Sequence, residues 1–288
     1  LWALAAIVIL ATGLVSFREP LMLAAIAARA ENPDLEERAA LLEPFVETYA
    51  PEGADGPLPA VLQFHGCSGR NADHERQFAA IANAAGYIVL SFDSNTPRGF
   101  DRDAALETVC KGETLIGQDR AGDIAAALSI VRKRSDIDQQ QVVLAGWSHG
   151  AWSIMDYLTF AAAGRNPPGV GGAPPRALSG VILFYPYCGP GARARFATWS
   201  TIAPVVGFIA GADEIVDGPQ CKALFDRVAA NDEGVSVVYY PAANHVFDHR
   251  ELSGEKRLQA IEHAKELKHF DLDDREASDL EMIGVGAL

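Results

Sequence analysis

The sequence predicts an α/β protein built on a mostly parallel sheet flanked by helices, and three observations carry that reading. Short β-rich runs alternate with helical stretches from about Glu43 onward. Several of those runs are continuous in Val, Ile, Leu and Phe, as strands buried on both faces require. A single G-x-S-x-G, Gly146-Trp147-Ser148-His149-Gly150, stands directly between one such run and the helical stretch after it. The expected strands are Phe45 to Tyr49, Ala60 to Phe64, Tyr87 to Phe92, Val142 to Ala145, Val181 to Tyr185, Val205 to Ile209 and Val235 to Tyr240. Between them the pattern predicts helices over Asp73 to Ala85, Gln118 to Arg134, His149 to Ala163 and Pro219 to Ala230, with a last one from about Glu255 to Phe270. Asp73 and Asp136 take capping or turn positions. Gly164 to Arg176, with its Pro-Pro and Gly-Gly pairs, reads as a surface loop.

Composition narrows the function. The 288 residues hold 24 Lys and Arg against 38 Asp and Glu, a formal charge of −14, with no basic run, so the footprint that phosphate binding needs is missing and nucleic acid is not an expected partner. The four cysteines contain no C-x-x-C, which disfavours structural zinc and a thioredoxin-like motif. Leu1 to Phe17 carries no charge and reads as a signal-peptide core or a short membrane anchor, with a buried first helix as the alternative. Ala28-Arg29-Ala30 supplies an A-x-A pattern, so residues 1–30 form the expected signal or anchor segment and the protein an exported one, periplasmic or secreted. The acidic run Asp271 to Asp274 fails as a calcium loop, since Arg275 and Glu276 occupy positions where an acidic ligand and a glycine belong. Residues 271–288 read as a solvated acidic tail.

The chemistry centres on Ser148. At a strand-to-helix turn two glycines relieve crowding around a strained backbone, and the serine is lifted above the sheet at a helix N-terminus. A serine hydroxyl needs a base and a carboxylate that orients it, and on this architecture they follow in the order acid, His. His245 lies on the loop after the Val235 to Tyr240 strand, at the carboxyl edge of the sheet, with His249 as its competitor. Asp213 follows Val205 to Ala210 in the same context, and Glu214 and Asp217 are neighbours that could replace it. Oxyanion donors are expected from the amides of Cys67, in His65-Gly66-Cys67-Ser68-Gly69, and of His149.

With these residues in place the sequence resembles the α/β-hydrolases, and more narrowly the dienelactone hydrolase family, over about Glu43 to Phe270. The resemblance rests on His65 to Gly69, Asp93-Ser94-Asn95-Thr96-Pro97-Arg98-Gly99 with Cys110 following, Gly146 to Gly150, Gly211-Ala212-Asp213 and Asn244-His245-Val246-Phe247. It implies an α/β-hydrolase sheet with a minimal cap or none over residues 43–270, and cleavage of small-molecule esters or lactones without cofactor or metal. The family's founding enzymes use a cysteine nucleophile where position 148 is serine, which shifts the expectation from dienelactone toward general ester hydrolysis. The resemblance implies that an arginine can receive a substrate carboxylate; Arg98 is the position to test for it, with a structural ion pair in the loop as the favoured reading. Four cysteines allow three pairings that the sequence leaves open. Their places on the implied framework favour Cys67 with Cys110 and Cys188 with Cys221.

The expected mechanism is an acyl-enzyme on Ser148, with His245 as base then acid and Asp213 as orienter. Trp147, Tyr185 and Tyr187 are candidates for the pocket wall. Rival readings are a prolyl-oligopeptidase-type serine peptidase, a catalytically silent α/β-hydrolase used as a binding module, and a polyester hydrolase.

Overall fold

The protein is described from a computed structural model, which covers residues 33–171, 178–196, Trp199 and 202–248. The expected signal or anchor segment, His249, the Glu255 to Phe270 helix and the acidic tail lie outside the described residues. Among the described residues no helix is long and apolar enough to cross a membrane.

The elements run α1 (Leu35–Leu42), β1 (Glu47–Tyr49), β2 (Leu58–Phe64), α2 (Ala72–Ala84), β3 (Ile88–Phe92), α3 (Arg102–Glu107), α4 (Gly117–Val131), β4 (Ile137–Trp147), α5 (His149–Ala162), β5 (Gly180–Phe184), β6 (Val205–Ala210), α6 (Gly218–Ala229) and β7 (Val235–Tyr240). One seven-stranded sheet has the order β1-β3-β2-β4-β5-β6-β7. β1 is antiparallel to β3, and every other pair is parallel. This is the α/β-hydrolase fold.

The continuous apolar runs are explained by burial on both faces. In β2, Ala60, Leu62 and Phe64 pack with α1, α4 and α5 on one side of the sheet. Val61, with Val89 and Val143 on the neighbouring strands, packs with Phe78 and Ala79 of α2 on the other.

Four details differ from the sequence reading. Pro44 opens a short 3₁₀ turn over Glu43–Phe45, so the first strand is only Glu47–Tyr49. β4 begins at Ile137, because Ile137 pairs with Leu58 of β2 and the polar stretch before Val142 lies in a register shift between that pair and the Ala60–Val142 pair. The cap of α2 is Asn71, whose side chain accepts from the amides of Asp73 and His74; Asp73 lies inside the first turn. α1 and α3 were not expected. α1 is set by a capping box, in which Asp34 accepts from the Glu37 amide and Glu37 from that of Asp34.

Candidate active site

Ser148 follows β4 and caps α5 with φ 52° and ψ −110°, a positive-φ conformation that L side chains rarely adopt. Both motif glycines are required by close approach. A Cβ on Gly150 would stand 2.2 Å from the Phe64 carbonyl oxygen, and one on Gly146 2.8 Å from the Ala151 amide nitrogen. The turn is locked by Ser148 N–H donating to Phe184 O at 2.9 Å.

The structure brings Ser148, His245 and Asp213 into one hydrogen-bonded chain. His245 Nε2 lies 3.2 Å from Ser148 Oγ, and His245 Nδ1 lies 2.7 Å from Asp213 Oδ2. The other oxygen, Asp213 Oδ1, accepts from the amides of Ile215 at 2.9 Å and Val216 at 3.1 Å. Of the alternative acids, Asp217 caps α6 through the Gln220 amide, and Glu214 is exposed. The loops after β6 and β7 are joined by Ala212 N–H donating to Ala243 O at 2.8 Å, which holds Asp213 and His245 at the same sheet edge.

The loop after β2 passes beside the serine: a Cβ on Gly66 would lie 3.7 Å from Ser148 Cβ. His65 sets the loop's backbone. Ser94 N–H donates to His65 Nε2 at 3.0 Å, so that nitrogen accepts, and Nδ1 carries the proton it donates to Gly66 O at 2.6 Å. Burial, helped by the Arg120 charge, holds the His65 pKa below its ordinary value and keeps the ring neutral. Because a trans peptide opposes its C=O and N–H, anchoring the Gly66 carbonyl also sets the direction of the Cys67 amide. The second expected donor, His149 N–H, belongs to the first residue of α5, where helix amides lack intrahelical partners.

A cavity of about 260 Å³ opens at Ser148, walled by Ile116, Trp152, Tyr187, Ile215 and the Cys67–Cys110 pair. Those sulfurs lie 2.00 Å apart, and Cys188 and Cys221 pair likewise at 2.05 Å, so all four cysteines are bonded. Among the described residues no group of His, Cys, Asp or Glu is placed to hold a metal ion.

Three expected substrate-binding residues do not line this cavity. Arg98 is buried in a two-point ion pair with Asp123, Nη2–Oδ1 2.9 Å and Nη1–Oδ2 3.1 Å, and also donates to Ser94 O. This is the structural ion pair that the sequence favoured for Arg98. Trp147 Nε1 and Tyr185 Oη both donate to Asp248, each at 2.7 Å, and His74 Nε2 joins the same carboxylate at 2.9 Å. They anchor the chain just after His245, and the Tyr185 ring packs edge-on to the His245 ring.

The pocket wall depends on a residue that sequence reasoning missed. Asp156 is buried and accepts from Trp152 Nε1 at 3.0 Å, from the amides of Arg193 at 2.7 Å and Ala194 at 3.2 Å, and from Gln118 Nε2. Burial pushes its pKa up to about 7 against those donors. The fold therefore favours the protonated acid relative to the unfolded chain, a stabilisation present at low pH and lost as pH rises through about 7, on the order of 4 kcal/mol in full. Asp156→Asn puts two N–H donors where the neutral acid has a single O–H, against the N–H groups around it, and removes the titration. Its unfolding midpoint is expected below that of the wild type, with the gap narrowing as pH rises from 5 to 8. A gap independent of pH in thermal melts would refute the assignment.

The model of the dienelactone hydrolase family matches residues 46–270. No curated protein matches the sequence. Among solved structures, a Klebsiella pneumoniae protein assigned to the dienelactone hydrolases is 17% identical, with 77% of this chain and 90% of that one covered at a TM-score of 0.56. A dienelactone hydrolase-like promiscuous phosphotriesterase from metagenomic libraries is 20% identical, covering 77% and 89% at 0.55. A thermophilic esterase from the planctomycete Thermogutta terrifontis, with propionate bound, is 15% identical, covering 77% and 87% at 0.55. These likenesses show the fold. The family match spans most of the 288 residues, and the chain belongs to the dienelactone hydrolase family, hydrolases of the ester and lactone type.

Proposed function

We propose that this protein is a serine hydrolase of small carboxylic esters or lactones, working through an acyl-enzyme on Ser148. The observation that carries the reading is the Asp213–His245–Ser148 hydrogen-bond chain, with its two spacings of 2.7 and 3.2 Å. His245 takes the Ser148 proton as Oγ attacks the acyl carbon, and Asp213 stabilises the imidazolium. The amides of Cys67 and His149 receive the tetrahedral oxyanion. His245 then gives its proton to the leaving alcohol, and water repeats the cycle on the acyl-enzyme. A cysteine nucleophile is not required of this chain, since its four cysteines are paired.

The family and the bound propionate of the thermophilic esterase favour esters over peptides. The aromatic wall of Trp152 and Tyr187 favours an apolar group beside Ser148. Two disulfides in the catalytic unit suit an oxidising compartment and support export.

A fluorophosphonate reporter tests the proposal. One equivalent is expected to bond covalently to Ser148, located by peptide mass, and hydrolysis of short-chain esters should stop in step with labelling. An unlabelled serine in folded protein would leave the binding-module reading standing, and cleavage of peptides in preference to esters would favour a peptidase.

A further inference from the structure

Arg120 of α4 is almost wholly buried, with 1% of its surface exposed, and no step described so far uses it. One nitrogen, Nη1, donates to His65 O at 2.9 Å and reaches His149 Nδ1 at 3.1 Å. An arginine carries no acceptor, so His149 Nδ1 must accept. Burial, reinforced by the Arg120 charge, holds the His149 pKa well below its ordinary value, which keeps that nitrogen free to do so.

The other guanidinium nitrogens, Nε and Nη2, have no hydrogen-bond partner among the described residues. The two acids whose charge reaches it do not bond it: Asp123 is bonded to Arg38 and Arg98, and Asp93 accepts from the Asn95 and Thr96 amides. Burial lowers the Arg120 pKa to about 10, which still leaves a cation at neutral pH. A buried charge without a carboxylate on it is costly to a fold, and a structural linker of this shape would be better made of neutral groups.

We propose that Arg120 is a positioning residue for the oxyanion site, tying the loop that carries the Cys67 amide to the residue that supplies the His149 amide, with a charge that no carboxylate bonds standing behind both. The inference rests on the serine-hydrolase reading above. The two donor amides come from segments far apart in the chain, and their worth depends on a fixed spacing around one developing oxygen. Arg120 bonds both segments from behind, at the carbonyl of one and the ring of the other. Its charge favours the oxyanion over the neutral ester, so the effect belongs to the transition state and not to substrate binding.

The test compares wild type, Arg120→Met and Arg120→Lys, with kcat and KM expressed per fluorophosphonate-titrated serine. Arg120→Met is expected to lower kcat about 100-fold and Arg120→Lys about 10-fold, with KM within about threefold of the wild type. Affinity for a boronic acid, which mimics the tetrahedral adduct, should fall in parallel, while affinity for the product acid stays level. A purely structural role would lower stability and the titratable fraction but leave kcat per titrated site unchanged. That result in Arg120→Met overturns the proposal; if Arg120→Met does not fold, the same result in Arg120→Lys does. Hydrolysis that needs Ser148 but ignores Arg120 sinks this inference alone. A wild type that neither labels nor hydrolyses esters sinks the serine reading and this inference together.

Discussion

Ser148→Ala is expected to abolish ester hydrolysis, lowering kcat for a short-chain p-nitrophenyl ester by about 10⁶-fold, the scale on which a serine nucleophile is lost elsewhere. The substitution removes one oxygen and nothing from the fold's core. It gives up the contact to His245 Nε2, and stability should shift by about 1 kcal/mol or less. The strained backbone at φ 52° is held by Gly146, Gly150 and the hydrogen bond from its amide to Phe184 O, none of which involves the hydroxyl. Steady-state kinetics with an unchanged circular-dichroism spectrum and unfolding midpoint check the prediction. Residual activity near the wild-type level would mean that another group is the nucleophile.

Asp213→Asn should be nearly as damaging, with kcat about 10⁴-fold lower, and the reason lies in the two oxygens of the carboxylate. Oδ1 accepts from the Ile215 and Val216 amides, so an asparagine keeps its carbonyl oxygen there and turns its NH₂ toward His245. The imidazole must then accept at Nδ1 and carry its proton on Nε2, the nitrogen that faces Ser148. A protonated Nε2 cannot take the serine proton. Rate is expected to recover partly at high pH, where hydroxide replaces the base, and wild-type rates in the variant would show that Asp213 does not orient His245. Because Asn preserves both backbone bonds, the unfolding midpoint separates this effect from a collapse of the loop.

The local features were legible because their causes are local. A turn that lifts Ser148 above the sheet needs glycine on both sides, and the contacts at Gly146 and Gly150 supply the reason. The strands were readable because both faces are buried, which leaves apolar residues at consecutive positions. Loops following strands place side chains at one sheet edge, which is why Asp213 and His245 could be proposed from order alone. The cysteine pairing followed from the resemblance and matches the pairs in the structure.

The polar interior was not legible. Arg98 and Trp147 have types and places that suit a binding site, yet they bond Asp123 and Asp248, partners chosen by packing across the fold. Arg120 and Asp156 stand in helices whose only outward sign was a charged residue amid buried neighbours, a sign present for Asp119 and Asp123 as well. The sequence by itself determined the strand-helix alternation, the turn at Ser148 and the candidate residues at the sheet's carboxyl edge, because backbone geometry and burial act on neighbouring residues. Only the tertiary structure decided which carboxylate faces His245, which aromatics wall the cavity and which buried cation bonds the loop after β2. Those choices depend on distances between residues remote in the chain, and periodicity and spacing carry no information about them.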